Sequence, residues 1–269
     1  MLQARSNEGL MILLSALTRK EIENARRHQH FFCPICKEPV IIKAGTKIVP
    51  HFAHRSKTIC PASGGEGPYH EKGKLILYQW LKSQYPEVML EPYLTDINQI
   101  PDIYLILKGR KIAIEFQCAK IDIQSIQLRN QGYKKKGIIP IWILGANQFR
   151  RLGKHHLQVN SFVQQFIHQF STDYPRTLYY FCPDTLQTAT FQHIYFTRNN
   201  VAFGTLTFQK IFQTTFHNLF SVQRFPSTTI YDLWKKEKKK FRLTRRPHWS
   251  RRERHWHQWL YLKRISIEH

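Results

Sequence analysis

The alternation of apolar and polar positions predicts helices and strands in a regular order through the middle of the chain. Apolar residues recur at helical spacing over Pro68–Leu81 and Ile123–Lys136, which predicts two amphipathic helices. Residues 101–117 contain two runs of alternating apolar positions around a glycine-containing break, and this pattern predicts a β-hairpin. Further strands are predicted at Val88–Leu94 and Ile138–Leu144. The order helix, strand, strand, strand, helix, strand is typical of an α/β sandwich.

The residues before this block predict a small β-rich region with one helix. Thr18 lies three residues before Glu21, which is a capping-box pattern and predicts a short basic helix that ends near His30. The strands predicted in this region lie at Met1–Ala4, at Gly9–Ser15 and in a hairpin from Pro39 to Val49.

The residues after the block predict an α+β region. Val159–Phe170 carries apolar residues at helical spacing, which predicts a core helix. Alternating apolar runs then predict strands at Pro175–Asp184, Thr188–Thr197 and Val201–Phe208, the last two joined by a turn at Asn199–Asn200.

Cysteine and histidine residues follow the first predicted helix at spacings typical of a metal site. Cys33 and Cys36 form a Cys-x-x-Cys knuckle in which two thiolates can share one ion, and His51, His54 and Cys60 follow. The knuckle and two of these three residues would complete a tetrahedral Zn²⁺ site. The pattern leaves open whether the pair is His51 with His54 or His54 with Cys60. It favours Cys60, because HFAH is typical of a packed strand end that aims only one histidine well.

Acidic residues lie at matching ends of the predicted hairpin. Asp102 opens the first strand, and Glu115 and Gln117 project from one face of the second. If the strands pair, the two carboxylates converge with an amide beside them, which is a ligand set that lets Mg²⁺ or Mn²⁺ hold a phosphate and activate water. The alternative is a turn and a strand edge with solvated carboxylates.

The two predicted helices add polar side chains on either side of the hairpin. Glu66, His70 and Lys74 recur at intervals of four before and within the first helix, so they share one face if the segment is helical throughout. Arg129 and Tyr133 are i, i+4 neighbours on the second helix and can address a phosphate together. Alone, the stripe of Glu66, His70 and Lys74 would be typical of a solvated helix face.

The charge balance predicts a polyanionic partner. Lys and Arg outnumber Asp and Glu by 41 to 18, which favours nucleic acid first and an anionic membrane surface second. Between Lys235 and Arg264, 13 basic residues face two glutamates and interleave with tryptophans, a mixture that suits single-stranded DNA. The alternative is a terminal helix whose tryptophans dock on the core. The predicted DNA contacts in this tail are Lys235, Lys236, Arg245, Arg246, Trp249, Arg251 and Arg252.

The cysteines and the absence of long apolar runs predict a cytoplasmic protein. No apolar run approaches the roughly 20 residues of a membrane span, and the start shows no signal-peptide pattern. Five cysteines, two of them in a Cys-x-x-Cys, suit a reducing compartment and a metal site better than a disulfide framework.

Several motifs, in order, resemble known nucleases. Asp102 and Glu115 lie where PD-(D/E)xK restriction-endonuclease-like nucleases carry their carboxylates, although Gln117 replaces the final lysine of that motif. The longer series CPIC, HFAH, GE-x3-H-x3-K, PD, EFQ, R-x3-Y and IPIWIL resembles the competence protein CoiA family, densely over residues 1–150 and loosely beyond. The resemblance implies a cytosolic protein of naturally transformable Gram-positive bacteria that acts on incoming DNA, with a metal-dependent nuclease-type core, linked to homologous recombination and the recombinase RecA.

Roles follow for the candidate residues. Asp102 and Glu115 are predicted to ligate Mg²⁺ or Mn²⁺, with Glu66 as a candidate third acidic ligand. Gln117 would orient water or substrate, Lys74 would stabilise charge on the phosphate, and His70 would act as a base or support the site. Arg129 and Tyr133 would hold the DNA strand or orient the active site.

The expected architecture is therefore an α/β protein with a restriction-endonuclease-like core, in which helices flank a mixed sheet. An N-terminal zinc-binding β-rich module (residues 1–65) would precede this core (66–150), and a basic α+β region (151–269) would follow it. Two other functions stay open. One is a non-catalytic DNA-binding or recombination-mediator protein on a degenerate nuclease core, and the other is a zinc-stabilised scaffold for a protein partner.

Overall fold

The chain forms two compact units, with a boundary between Trp142 and Ile143. The structure is a computed structural model that describes residues 1–45, 49–55, 60, 67–171, 174–198 and 200–221. Glu66 and the basic tail beyond residue 221 therefore lie outside the described residues. The finer division at residues 65 and 150 stays a prediction.

The first unit begins with a five-stranded antiparallel sheet and a helix. Its elements are β1 (Gln3–Ser6), β2 (Met11–Leu13), α1 (Arg19–His28), β3 (Phe31–Phe32), β4 (Pro39–Lys43) and β5 (His51–His54), with strand order β2-β1-β3-β4-β5. The predicted capping box is confirmed: Thr18 Oγ1 accepts a hydrogen bond from the Glu21 N–H at 3.3 Å, and the Glu21 carboxylate accepts one from the Thr18 N–H at 2.7 Å. Cys33 and Cys60 are buried in the core of this sheet.

The rest of the first unit holds the predicted hairpin between two helices. Its elements are α2 (Pro68–Lys82), β6 (Met89–Leu90), β7 (Ile103–Leu107), β8 (Arg110–Gln117), α3 (Ile123–Lys135) and β9 (Ile138–Gly145), and the strands run in the order β9-β8-β7-β6. Lys108 and Gly109 both have positive φ (48° and 75°), as a two-residue type I′ hairpin turn requires. Helix α3 begins after Asp122, whose side chain accepts a hydrogen bond from the Ser125 N–H as an N-cap.

The second unit is a mixed sheet with two short helices. It adds β10 (Arg151–Gly153), β11 (His156–Gln158), α4 (Ser161–Gln164), β12 (Leu178–Cys182), β13 (Gln187–Arg198), β14 (Val201–Lys210) and α5 (Phe216–Phe220). The strand order is β10-β11-β14-β13-β12-β9, and the boundary between the units falls within β9. Strand β12 pairs with β9 in parallel, whereas β12–β13, β13–β14, β11–β14 and β10–β11 pair antiparallel, which makes the sheet mixed. Among the described residues, no helix is both long and apolar enough to cross a membrane.

The predicted helix over Val159–Phe170 and the predicted strand over Val88–Leu94 are both shorter in the structure. The helix expected over Val159–Phe170 is wrong beyond its first turn, because the backbone of His168 pairs with Thr177 through two hydrogen bonds and leaves the helix. Val163 and Phe166 are nevertheless buried, as predicted. The strand expected over Val88–Leu94 ends at Leu90, because Glu91 adopts a left-handed φ of 45° and Pro92 has no N–H to donate.

Candidate active site and metal centre

The two carboxylates of the hairpin lie at facing positions. Ile103 of β7 and Ile114 of β8 are cross-strand partners, and Asp102 and Glu115 are the next residue on either side. Residues at such facing positions have Cα atoms about 5 Å apart. Asp102 is 8% exposed and Glu115 is 4% exposed, so both acidic groups are removed from bulk water. Two buried carboxylates this close require compensation by positive charge.

Helix α3 supplies part of that compensation to Glu115. Arg129 donates from Nη2 to Glu115 Oε1 at 2.5 Å and from Nε to the same oxygen at 3.2 Å. The hydroxyl of Tyr133, which is fully buried, donates to that oxygen as well. Arg129 also donates to the carbonyl of Ile100, immediately before the Pro101–Asp102 pair. Arg129 and Tyr133 therefore orient Glu115, and Tyr133 does not face solvent where a DNA strand would pass.

Helix α2 supplies positive charge to Asp102. Lys74 Nζ lies 3.8 Å from Asp102 Oδ1, and His70 Nε2 lies 3.3 Å from Oδ2. The backbone N–H of Phe116, the residue after Glu115, donates to Oδ2 at 2.7 Å. This bond fixes the Asp102 carboxylate from the opposite strand of the hairpin. The α2 stripe predicted from its four-residue spacing thus reaches the hairpin at His70 and Lys74.

Lys74 lies in a buried network of charges. It is 1% exposed, and its ammonium donates to Glu91 Oε1 at 2.6 Å and lies 3.6 Å from Glu71 Oε2. Neither glutamate is part of the predicted site. Glu71 occupies an ordinary helical position, and Glu91 directly follows an apolar run, so the local pattern contains no signal for either.

The structure describes Gln117 but not Glu66. The Gln117 amide donates to the carbonyl of Ala119 at 2.6 Å, so its donor group serves the loop after β8. Its predicted role with water or substrate stays a prediction. The same is true of Glu66, which lies outside the described residues.

Burial is the largest single influence on the pKa values of Glu115, Arg129 and Tyr133. Burial raises the pKa of Glu115, the cation of Arg129 opposes that increase, and the nearby Asp102 adds to it. For Arg129, burial alone would lower the pKa, but Glu115, Tyr133 and Asp102 together outweigh burial and raise it. Burial likewise raises the pKa of Tyr133, so its phenol stays protonated and acts as a donor to Glu115.

Close contact between α2 and β8 holds this arrangement. A Cβ on Gly73 would lie 2.0 Å from Cε1 of Phe116, a distance that real contacts do not reach. The Phe116 ring also stacks on His70, with ring centroids 5.6 Å apart. A glycine at this position therefore lets α2 approach β8 closely enough for His70 and Lys74 to reach Asp102.

Replacing Gly73 with alanine is expected to destabilise the protein by about 1–3 kcal/mol, because the added methyl group must displace the buried Phe116 ring. Gly132→Ala in α3 is a matched control. Its added Cβ would meet the end of the Gln99 side chain, which can rotate away, and alanine is the better helix former. Urea unfolding measures both variants, and equal midpoints would contradict the close packing at Gly73.

A second cluster lies in the N-terminal sheet. Cys33, Cys36, His54 and Cys60 place their ligand atoms within 4.8 Å of one another. Sγ of Cys33 and Sγ of Cys60 are 3.7 Å apart, whereas Zn–S bonds of about 2.3 Å at a tetrahedral angle would separate two sulfurs by about 3.8 Å. Three soft thiols and an imidazole form a donor set that Zn²⁺ prefers, and the spacing fits a single ion.

The fifth candidate ligand lies outside this group. His51 Nδ1 lies 3.0 Å from the carbonyl of Val49, which occupies that ring nitrogen. His54 Nε2 instead lies 3.2 Å from Sγ of Cys36. Of the two sets that the sequence left open, the structure brings together the one that contains His54 and Cys60. Burial raises the pKa of the Cys33 thiol to about 12, so this thiol stays protonated at neutral pH unless a cation binds.

Comparisons with known proteins match both units of the chain to one family. A family model described as "Competence protein CoiA, nuclease-like domain" matches residues 66–224, and one described as "Competence protein CoiA, N-terminal domain" matches residues 14–63. A curated relative, "Competence protein CoiA" of Bacillus subtilis (strain 168), is 34% identical over 237 residues, which cover 88% of this chain and 61% of the relative. The chain thus spans less than two thirds of that relative's length, and no solved structure matches it. The chain belongs to the competence protein CoiA family.

Proposed function

We propose that this chain is a nuclease-type factor that acts on DNA during genetic transformation, with Mg²⁺ or Mn²⁺ held by Asp102 and Glu115. The observation that carries the proposal is the facing position of these two buried carboxylates at the end of the β7–β8 hairpin. The family description supplies the nuclease-like domain, and the relative's name supplies the link to competence.

The donor set fits a hard divalent cation. All three donors from Arg129 and Tyr133 converge on Oε1 of Glu115, and among the described residues none donates to Oε2. Each carboxylate oxygen has two lone pairs, so Asp102 also keeps acceptor capacity beside its bond from Phe116. A hard cation that prefers oxygen ligands would find one carboxylate on each strand.

The protein's own residues would then have distinct roles. When bound, the metal would polarise the scissile phosphate and lower the pKa of a water molecule. Arg129 and Tyr133 hold Glu115 in one orientation, and the Phe116 N–H does the same for Asp102. His70, next to Asp102, is the candidate to take a proton from the attacking water, and Lys74 places positive charge behind Asp102.

A second candidate function is a DNA-binding recombination mediator without turnover. The Gln117 amide favours this candidate, because it stands where a nuclease of this type carries a lysine and it donates to the Ala119 carbonyl. The buried Lys74 is the one cation from α2 within 4.0 Å of Asp102 Oδ1 among the described contacts, and it is shared with two glutamates. The nuclease proposal therefore depends on Lys74 compensating for the missing lysine.

Labelled single- and double-stranded DNA, incubated with the purified chain and Mg²⁺, Mn²⁺ or EDTA, distinguishes the two functions. Cleavage that needs the cation is expected for the nuclease, and shifted but intact DNA in gel electrophoresis is expected for the mediator. If the chain neither binds nor cuts either substrate, both functions are wrong.

The remaining proposals concern zinc and DNA contacts. We propose that Cys33, Cys36, His54 and Cys60 hold one structural Zn²⁺. Contacts to DNA by the tail from Lys235 to Arg252, a link to RecA and a cytoplasmic location remain proposals from the sequence and from the family resemblance.

A further inference from the structure

We propose that Glu91 is a positioning residue that connects the N-terminal sheet to the carboxylate site, so that the state of the cysteine–histidine group affects the geometry at Asp102. This role rests on the nuclease site proposed above. Three contacts of Glu91 carry it, to Lys74, to Asp102 and to Leu2.

The backbone of Glu91 is held in an unfavourable conformation beside Asp102. Its φ of 45° lies in the left-handed region, which a residue with a long side chain rarely adopts. Its N–H donates to the carbonyl of Asp102 at 3.0 Å, and this bond continues the pairing of β6 with β7. Non-glycine residues keep such a conformation when the surrounding contacts fix it, and they often occur at functional sites.

The two carboxylate oxygens of Glu91 bind different parts of the molecule. Oε1 accepts the hydrogen bond from Lys74 Nζ at 2.6 Å, which is shorter than the distances from that ammonium to Glu71 and Asp102. Oε2 accepts the backbone N–H of Leu2 at 2.8 Å. The Glu91 side chain is 11% exposed and that of Lys74 is 1% exposed, so both bonds are shielded from water and strongly directional. Glu91 therefore helps to fix the Lys74 ammonium beside Asp102.

The same N-terminal segment reaches the cysteine–histidine group. The carbonyl of Met1 accepts the N–H of Phe52, which lies in β5 two residues before His54. Sδ of Met1 lies 3.7 Å from Sγ of Cys33. Next to the hydrogen bond from Leu2 to Glu91, the Gln3 side chain donates to the Leu90 carbonyl. This second bond holds β1 beside β6.

A continuous series of contacts thus joins the two sites. It runs from β5 through Met1 and Leu2 to Glu91, and from Glu91 through Lys74 to Asp102. If a bound metal fixes β5, it also fixes the segment whose Leu2 N–H holds Glu91. Loss of that metal should then loosen Lys74 and the carboxylate that it neutralises.

Hydrogen exchange at the Phe116 amide tests the positioning role without requiring turnover. This N–H is bonded to Asp102 Oδ2, so its protection reports the Asp102 geometry directly. Glu91→Gln keeps the size of the side chain but removes its charge, and it is expected to speed this exchange roughly tenfold, as for the loss of a buried charged hydrogen bond. Glu87→Gln, at an exposed position just before β6, is the matched control and should change nothing. Glu91→Asp, which keeps the charge, should restore part of the protection.

Removing the metal tests the connection between the sites. Removing the metal, by chelation or by Cys36→Ser, should speed Phe116 exchange in the wild-type chain. In the Glu91→Gln variant the same treatment should speed exchange little further, because metal loss and Glu91→Gln act through the same contacts. Exchange in β12 of the second unit should stay slow throughout, which separates a local effect from unfolding. Unchanged Phe116 protection in Glu91→Gln would overturn the positioning role, and additive effects would overturn the connection. Neither result depends on whether the chain cuts DNA, so failure of the nuclease proposal remains distinguishable.

Discussion

Replacing Asp102 with asparagine is expected to lower metal-dependent DNA cleavage by about a thousandfold or more, because the change removes one of two charges that would hold the cation. The side-chain oxygen of asparagine can still accept the Phe116 N–H, so the hairpin should keep its geometry. The fold should survive, because the Lys74 ammonium keeps its hydrogen bond to Glu91 when the charge on Asp102 is removed. Cleavage rates on a labelled oligonucleotide at several Mn²⁺ concentrations measure the activity, and the thermal unfolding midpoint measures the stability of the fold.

Asp96→Asn is the control for the Asp102 change. Asp96 lies in the same connection before β7, but its side chain is 68% exposed and it pairs with Lys136 at the surface. The Asp96 variant should cleave DNA at the unchanged rate. If Asp102→Asn instead cleaved as fast as the unchanged protein, the active site would lie elsewhere.

Asp102 is a cleaner position to test than Glu115. Glu115→Gln would also remove a ligand charge, but it would leave the Arg129 guanidinium beside a neutral group in a partly buried position. Breaking one partner of a buried ion pair costs about 3–5 kcal/mol. Lower activity in that variant would therefore combine lost metal binding with a disturbed fold.

Local patterns predicted the elements that carry the site. The capping residues Thr18 and Asp122, the Lys108–Gly109 turn and the two helical periods each depend on residues that are close in sequence. The prediction that a helix reaches Phe170 was wrong because it ignored a pairing outside the local sequence pattern. The pairing of His168 with Thr177 competes with the helix, and the apolar pattern alone does not contain that pairing.

The partners of the site residues were harder to predict than their positions. The i, i+4 spacing of Arg129 and Tyr133 placed them on one face of α3, but it did not show that this face binds Glu115. Glu91 was missed because its partners Lys74 and Leu2 are 17 and 89 residues away in sequence. Gly73 was missed because its role is a close approach between α2 and β8, which exists only in the packed structure.

Removing His54 is expected to abolish metal binding at the N-terminal sheet and to lower the stability of the first unit. His54→Ala deletes the imidazole from the group that contains the three thiols, and a structural zinc ion in small zinc-binding peptides contributes about 10 kcal/mol or more to folding. The strands of this sheet are only two to five residues long, so little other burial offsets the loss. Elemental analysis should find about one zinc ion per unchanged chain and almost none in the variant, whose unfolding midpoint should fall.

His51→Ala is the matched test of which histidine binds the metal. His51 lies three residues earlier on the same strand, but its ring nitrogen faces the Val49 carbonyl and lies outside the group. This variant should therefore keep its zinc and lose only the small contribution of one hydrogen bond, about 1 kcal/mol. Loss of zinc from His51→Ala with retention in His54→Ala would reverse the ligand assignment. Absence of zinc from the purified wild-type protein would refute the metal site. A metal held by His54 lies on β5, the strand that binds the Met1 carbonyl, so the same pair of variants also tests whether the loss of zinc affects Asp102.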